Sequence, residues 1–255
     1  YNGASNIPEL KEKLEKFSIR RLKAEVLKDL PDKFINTTYL DLPEPEAYKA
    51  IENASQQEII DSDDIYKTFY KSLAGKTPEQ RAEAIVRSRL DGQFKGLTTN
   101  VLVQIEKLKQ ESARQKIIAS KDLFYEYIEN RKKVVVFCTH KKTVSDLNNL
   151  YEQSVVITGE VAPEQRIKNI DKFETDPETL FLFCTIQTTG TGFNLTASSE
   201  VLFMELGWTP AEHKQAEDRC WRIGQKNKVN INYLVAINTI DEDIIEILNN
   251  KSEVI

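Results

Sequence analysis

Two arginines, Arg219 and Arg222, stand three positions apart in the segment QAEDRCWRIGQ. If this segment is helical up to Ile223, both side chains project from one helix face, because positions i and i+3 are neighbours on a helix surface. Guanidinium groups stay charged at any working pH and match the oxygens of a phosphate in a forked geometry. The pair therefore predicts a site for an anionic ligand. The alternative is a solvated helix face with ion pairs to Glu217 and Asp218.

The whole segment resembles the sixth motif of the SWI/SNF-type ATPases, which are DNA translocases of helicase superfamily two. That motif reads Gln-Ala-x-x-Arg-x-x-Arg-Ile-Gly-Gln. In the family, the two arginines reach from the second RecA-like lobe into the ATP site of the first. The resemblance assigns Arg219 and Arg222 a catalytic role as arginine fingers and makes Gln215 a nucleotide-binding residue. Trp221 replaces a residue that is commonly histidine in the family, which leaves both a packing role and a base-stacking role open.

Composition places the chain among ordinary globular proteins. Its 255 residues are 40% hydrophobic and 29% charged, and the formal net charge is −5. This charge argues against a surface coated in positive charge, although it allows a local basic face. No apolar run approaches the roughly 18 residues of a membrane span, and the N-terminus lacks the apolar core of a signal peptide. We expect an intracellular location, in the nucleus if eukaryotic and in the cytoplasm or nucleoid if prokaryotic or viral.

Cysteine and histidine usage gives no support to a metal site. The three cysteines are widely spaced and form no CxxC pair, and the chain contains two histidines. Neither a disulfide framework nor a zinc site is predicted from this pattern. The chain begins with Tyr1, and its single methionine is Met204, which predicts a piece of a longer protein.

The fold class follows from the alternation of apolar runs and helix-like stretches over residues 131–252. Short apolar strands separated by helices predict a parallel sheet with helices on both faces, hence an α/β fold. Residues 44–130 differ, because heptad-like spacing and charged segments predict several packed helices. The predicted strands are 134–138, 155–157, 180–184, 201–204 and 229–235, and the predicted helices of the sheet region are 143–151, 163–173, 211–221 and 241–249.

The resemblance also divides the chain into parts. The run IRRLKAEVLKDLPDK, residues 19–33, resembles the hinge segment between the two lobes of the family. The implied organisation is a hinge and inter-lobe linker over 1–43, a helical elaboration over 44–130 and a C-terminal RecA-like helicase lobe over 131–255.

The segment CTIQTTGTGFNLTAS, residues 184–198, follows a predicted strand and contains glycines that let a backbone approach a ligand closely. It resembles the fifth motif of the family. The resemblance implies a loop that touches the DNA backbone, with Thr185 as a contact, and relays to the nucleotide through Gly190, Gly192 and Asn194.

Two further segments predict DNA contacts. VVVFCTH, residues 134–140, resembles the fourth motif, and the resemblance makes Thr139, His140 and Lys141 candidate contacts to DNA phosphates. Such contacts fit the carboxyl ends of parallel strands, where α/β sheets bind ligands. ITGEVAPEQRIKNIDKF places Gly159 and Arg166 at positions of another family element that contacts DNA. For Arg166, an ion pair on a helix surface is an equal alternative.

The chain shows no complete phosphate-binding loop of its own. Ala74-Gly75-Lys76-Thr77 ends like a P-loop, but Tyr70 stands where that motif requires glycine. The resemblance implies that ATP and Mg²⁺ bind mainly to an N-terminal RecA-like lobe of the same protein, outside this chain. The chain alone is then expected to be inactive as an ATP hydrolase.

The resemblance implies double-stranded or branched DNA as the partner. The sequence around Glu205 is most similar to the annealing-helicase branch of the family. The lobe of an RNA helicase is one alternative, although Gln225 and Lys226 after Gly224 favour translocation on duplex DNA. A non-catalytic DNA- or protein-binding module on a RecA-like scaffold is the other alternative. Retention of both arginines argues against such a module.

Overall fold

The computed structural model describes residues 31–61 and 95–252, together with single positions at 9, 12, 13, 17, 27, 30 and 76. By compactness the chain divides into two units, residues 1–30 and residues 31–255. In the first unit, Lys13 and Glu9 form an exposed ion pair, with 2.6 Å between Nζ and Oε1. Apart from those single positions, the predicted hinge segment before Pro31 and the P-loop-like run at 74–77 lie outside the described residues.

One parallel sheet organises the second unit. The described strands are β1 (Lys33–Leu40), β2 (Val134–Cys138), β3 (Ser154–Ile157), β4 (Phe181–Thr185), β5 (Glu200–Phe203) and β6 (Val229–Ala236). They form a six-stranded sheet in the order β1-β6-β5-β2-β4-β3, and every neighbouring pair is parallel. β2 and β4 lie inside the sheet and are buried along their whole length, which explains their unbroken apolar sequence.

Helices connect and cover these strands. The described α-helices are α1 (Pro45–Asp61), α2 (Lys95–Ala119), α3 (Lys121–Glu129), α4 (Lys141–Leu150), α5 (Pro163–Thr175), α6 (Pro210–Cys220) and α7 (Ile240–Ser252). A short 3₁₀ helix, Ile186–Thr191, follows β4 directly. Several helix starts carry the expected signals, since Pro163 and Pro210 stand in the first turns of α5 and α6. None of the described helices is both long enough and apolar enough to cross a membrane.

Successive side chains of a strand pack into two separate hydrophobic cores, one on each face of the sheet. Val135 and Phe137 of β2 belong to a cluster that includes side chains of α5, α6 and α7. Val134 and Val136 belong to the other cluster, which includes side chains of α2, α3 and α4. The period of two along a strand produces this division. The predicted α/β fold, a RecA-like parallel sheet with helices on both faces, is confirmed.

Two features of the fold were not in the sequence-based expectation. β1 lies within the predicted hinge and linker segment, yet it pairs with β6 along its full length at the edge of the sheet. Most of its side chains are exposed, so no apolar alternation marked it as a strand. In addition, α2 and α3 cover one face of the sheet through Ile117, Phe124 and Tyr127. The boundaries between the three predicted parts stay a prediction.

Candidate functional site

The carboxyl ends of the inner strands meet at one edge of the sheet. Cys138, the last residue of β2, pairs with Thr185 at the end of β4. Phe137 pairs with Phe203 at the end of β5, and Ile157 at the end of β3 pairs with Cys184. The segments that follow these strands therefore lie side by side, at the edge where parallel sheets bind ligands.

The loop after β4 is compact and connects directly to α6. Thr185 is buried, and its carbonyl accepts a hydrogen bond from the hydroxyl of Thr188 at 2.6 Å. Gly190 lies within the 3₁₀ helix, and Gly192 ends it in the left-handed region at φ 75°. Further on, the backbone N–H of Leu195 donates to the carbonyl of Arg219 at 2.9 Å. The predicted loop thus contacts the arginine-bearing helix through its main chain.

Helix α6 ends before Arg222, whereas the predicted pairing of the two arginines on one face needed a helix up to Ile223. It starts at a Thr209 cap, whose hydroxyl accepts from the N–H of Glu212, and it stops at Cys220. Arg222 follows in a tight turn, where its carbonyl accepts from the N–H of Gln225 at 3.0 Å. Gly224 permits this turn at φ 105°, outside the range of a helix. Arg219 and Arg222 are therefore not i and i+3 partners on one helix.

Arg219 is buried, which is unusual for an arginine. Arg219 is 8% exposed, and its guanidinium lies over the ring of Phe193, 5.9 Å from the centroid. The buried Nε has no hydrogen-bond partner within the described part of the chain. Burial first, and then repulsion from Arg222, lowers the pKa of Arg219, whereas Asp218 acts in the opposite direction.

The alternative prediction, that the two arginines form ion pairs with Glu217 and Asp218, does not match the ion pair that Glu217 forms. Glu217 accepts from Lys33 at 2.8 Å and from the hydroxyl of Tyr233 at 2.6 Å. In residues 31–61 and 95–252, no carboxylate forms an ion pair with Arg219 or Arg222. Arg222 is half-buried, and Gln215, the predicted nucleotide-binding residue, is exposed on α6.

In the turn between β2 and α4, the backbone amides bind a carboxylate of the protein itself. Oε2 of Glu205 accepts from the N–H groups of Thr139 and His140, each at 3.0 Å. Nδ1 of His140 bonds to the other oxygen of Glu205, and Nε2 lies 2.6 Å from Oε2 of Glu106. Both ring nitrogens of His140 are therefore engaged within the protein. Lys141 is exposed and forms an ion pair with Glu160 at 2.6 Å.

Arg166 closes the loop after β3. Its terminal NH₂ donates to the carbonyl of Gly159 at 2.9 Å, and its Nε donates to the carbonyl of Val161 at 2.7 Å. Gly159 and Arg166, predicted together from the motif, are thus in direct contact. Asn194 and Gly192 are exposed on the neighbouring loop, whereas Thr185 is buried.

Comparisons with known proteins agree with this geometry. The solved C-terminal part of the Fun30 ATPase domain has a TM-score of 0.60 at 18% identity, over 86% of this chain and 90% of that one. The Sulfolobus solfataricus SWI2/SNF2 ATPase core in complex with dsDNA has a TM-score of 0.61 at 24% identity, over 96% of this chain and 50% of that one. At these identities the likeness establishes the fold.

Sequence comparison decides the family. The model of the helicase conserved C-terminal domain matches residues 115–224, which contain β2 to β5 and α6. The DNA annealing helicase and endonuclease ZRANB3 of Mus musculus is 35% identical over 257 residues, covering 99% of this chain and 21% of that protein. The chain is a C-terminal lobe of the SWI/SNF-type helicases. The predicted family and its annealing-helicase resemblance are confirmed, and the lobe spans about a fifth of the length of that relative.

Gln225 is a residue of this helicase lobe to which the motif alone gave no role. It is 6% exposed, and its amide donates to the carbonyls of Ser198 at 2.8 Å and Thr196 at 3.2 Å. Its oxygen accepts from the N–H groups of the two following residues, each at 2.9 Å. Gln225 therefore ties the turn that carries Arg222 to the end of the loop after β4. The only signal in the sequence was the glutamine of the Gly-Gln pair that ends the motif.

Helix α2 of the lobe contributes two charged side chains that the sequence did not connect to the site. Glu106 contacts His140, and Lys109 lies over the ring of Trp208, 5.0 Å from its centroid. Lys109 is 3% exposed, and burial lowers its pKa, whereas Glu106 and Glu205 act in the opposite direction. No local pattern predicts such contacts, because Glu106 and His140 are 34 positions apart.

The charge of His140 gives the lobe a pH dependence. Burial disfavours the imidazolium, but the hydrogen bonds to Glu106 and Glu205 outweigh burial and the repulsion from Lys109, and they raise the pKa of His140 from 6.5 to about 9. Because the folded pKa is the higher one, the stabilisation is complete below pH 6.5 and is lost as the pH rises through about 9.

We expect the urea midpoint of the full-length protein to exceed that of a His140→Gln variant at about pH 6, and the difference to shrink towards about pH 9.5. Unfolding curves for both proteins at several pH values measure this difference. A Lys142→Gln variant, which changes an exposed ion pair, is the control. A difference that stays constant with pH contradicts the assignment of a charged His140.

Proposed function

We propose that this lobe completes the ATP site of a DNA-stimulated motor by presenting Arg219 and Arg222 to a nucleotide held on a preceding lobe. The state of Arg219 carries the proposal, since this residue is 8% exposed and its Nε has no hydrogen-bond partner in the described structure. Burying a charge without a counter-charge is costly. An anion from outside the lobe would offset that cost, whereas an arginine with a purely structural role is normally paired within its fold.

The second arginine strengthens the same conclusion. Arg222 lies close enough to Arg219 to lower the pKa of Arg219. Two neighbouring cations destabilise each other until an anion binds near both of them. Arg222 is half-buried on a turn, so part of its side chain remains accessible to such an anion.

ATP with Mg²⁺ is the anion that we propose. When bound, it supplies a γ-phosphoryl group whose negative charge spreads over its oxygens during transfer. On this chain, Arg219 and Arg222 would neutralise that charge. Gln215, Gly190, Gly192 and Asn194 are proposed to line the nucleotide side of the same edge. The phosphate cradle and the Mg²⁺ ligands are assigned to the preceding lobe.

We propose duplex DNA as the partner of the neighbouring loops. Lys141 is exposed there and pairs with Glu160, which is next to Gly159, and Gly159 in turn is in contact with Arg166. The exposed ion pair of Lys141 with Glu160 is worth roughly 0–1 kcal/mol, so a phosphate can displace it. Thr139, His140 and Thr185 are assigned to holding the loops in place. The Sulfolobus core of the same fold was solved in complex with dsDNA.

Turnover in the full-length protein tests the proposal and its alternatives. ATP hydrolysis is measured without nucleic acid, with duplex DNA and with duplex RNA of the same length. Stimulation by DNA is the expected result, and we propose that the protein acts where the cell keeps its DNA. Stimulation by RNA alone would favour an RNA helicase. Absence of turnover under all three conditions would favour a non-catalytic module.

Phe193 is expected to contribute to turnover through Arg219. A cation–π contact is worth about 0.5–2 kcal/mol, so Phe193→Leu should lower kcat for ATP between about twofold and thirtyfold. Phe193→Tyr keeps an aromatic face under the guanidinium and should retain most of the activity. Steady-state turnover at saturating duplex DNA measures both variants. Equal activity of the leucine and tyrosine variants would contradict the role of the ring.

A further inference from the structure

The turn that carries Arg222 is attached to the segment where the chain enters the second compact unit. Indole Nε1 of Trp221 donates to the carbonyl of Pro31 at 2.8 Å. Nζ of Lys33 lies over the same indole, 4.9 Å from its centroid, and donates to Glu217 at 2.8 Å. These contacts join residues about 190 positions apart in the sequence.

The attachment is shielded from water, which makes it stronger than a surface contact. The side chain of Lys33 is 19% exposed and that of Glu217 is 6% exposed. The second oxygen of Glu217 accepts from the hydroxyl of Tyr233 in β6, so this carboxylate is fixed from two directions. Trp221 packs against the core on the α6 face of the sheet. Reduced access of water strengthens the electrostatic interaction of such a pair.

Arg222 depends on this attachment because of its place in the chain. Helix α6 ends at Cys220, so the helical hydrogen-bond ladder does not hold Arg222. Its N–H donates to the carbonyl of Cys220 at 3.1 Å, and Trp221 is the residue between them. A shift of Trp221 therefore moves the backbone of Arg222 directly. Arg219, by contrast, lies within the helix and against Phe193.

We propose that Pro31, Lys33, Glu217 and Trp221 form a latch that positions Arg222 for its work on the nucleotide. Trp221 and Lys33 are positioning residues here, since they act through the arginine. Pro31 is the first residue of the unit 31–255, so the latch fixes the entering chain to the arginine-bearing turn. The inference rests on the proposed function of Arg222.

Two variants of the full-length protein open the latch in different ways. Trp221→Phe removes the N–H donor and keeps an aromatic ring beneath Lys33. The double variant Lys33→Met with Glu217→Gln removes the ion pair while it keeps side-chain size and an acceptor for Tyr233. Because it leaves no buried charge without a counter-charge, this double variant keeps the test open if Trp221→Phe folds poorly.

Lys228→Met is the matched control. Its ammonium lies 3.3 Å from Asp32 and over the ring of Phe34, 5.6 Å from the centroid, so it makes the same kinds of contact close to β1. These contacts do not involve α6 or the turn that follows it. Lys33→Arg is the conservative variant, which keeps the cation and should retain most of the turnover.

The expected result is a fall in kcat for ATP of about tenfold to a hundredfold in both latch variants, because misplacing a catalytic group by about 1 Å can cost a hundredfold. KM for ATP, the affinity for duplex DNA and the thermal midpoint should stay close to those of the unmodified protein. The control Lys228→Met should match the unmodified protein in all four quantities.

Repeating the latch variants in an Arg222→Ala background separates positioning from general support of the fold. No further fall of kcat is expected there, because the residue that the latch positions is already missing. The same fall in both backgrounds would overturn the latch, and so would an unchanged kcat in the native background. If Arg222→Ala alone leaves turnover unchanged, the proposed function of Arg222 fails and the latch fails with it.

Discussion

Replacing Arg222 with alanine in the full-length protein is expected to lower DNA-stimulated ATP turnover by about 10³-fold or more, since arginine fingers are worth about 10³ to 10⁵ in rate. Arg222 is half-buried on a turn, and no ion pair to it occurs in the described part of the lobe. Its loss should therefore disturb little besides the charge that it presents. Steady-state hydrolysis at saturating ATP and duplex DNA measures the effect.

The control for this variant is Arg114→Ala. Arg114 lies on α2 and binds Glu44 and Glu111 at 2.6 Å and 2.7 Å, so its replacement removes a guanidinium elsewhere on the lobe. Turnover of the control should stay near that of the unmodified protein. DNA affinity, followed by fluorescence anisotropy, should be retained in both variants. Undiminished turnover of Arg222→Ala with DNA bound would refute the finger role.

Lys116→Met should have the largest effect on stability, a loss of about 3–5 kcal/mol, which is typical when one partner of a buried ion pair is removed. Lys116 and Asp241 have side chains 1% and 4% exposed, with 2.6 Å between Nζ and Oδ2. The ammonium also donates to the carbonyl of Leu234 at 3.0 Å. Its removal leaves the carboxylate of Asp241 buried, with the hydroxyl of Ser112 and the N–H of Ala236 as its remaining donors.

Calorimetry of the full-length protein measures this loss, from the unfolding transition whose midpoint the variant shifts. Adding Asp241→Asn to Lys116→Met removes the uncompensated charge, so the double variant should recover much of the lost stability. Lys142→Met changes the exposed pair with Asp146 and should cost at most about 1 kcal/mol. A single variant as stable as the unmodified protein would show that the buried pair contributes little, and a double variant no more stable than the single one would show that the buried charge of Asp241 is not the cause of the loss.

The strands of the sheet were predictable wherever burial on both faces imposed an apolar run. β2 has the predicted bounds, 134–138, and β6 differs from its predicted bounds, 229–235, by one residue. β1 was not predictable in this way, because its exposed side chains follow no apolar alternation. Its position depends on pairing with β6, which lies almost 200 residues later in the chain. Such long-range pairing leaves no local pattern.

The site was predictable in its parts and less so in its arrangement. The resemblance assigned both Arg219 and the loop after β4 to the nucleotide. In the structure, the N–H of Leu195 in that loop donates to the carbonyl of Arg219. The resemblance did not indicate that the helix ends before Arg222, which depends on the turn at Gly224. Nor did it indicate that Glu205 binds the amides beside His140, because that contact spans 65 positions.

The hydrogen bond between Leu195 and Arg219 is formed by main-chain atoms alone. Exchanging either side chain leaves the N–H and the carbonyl in place, and only proline at position 195 deletes the donor. Relatives can therefore diverge at both positions and still keep this link between loop and helix. A random mutagenesis screen would pass over it in nearly every clone, so its importance has to be sought with proline or with a backbone ester at position 195.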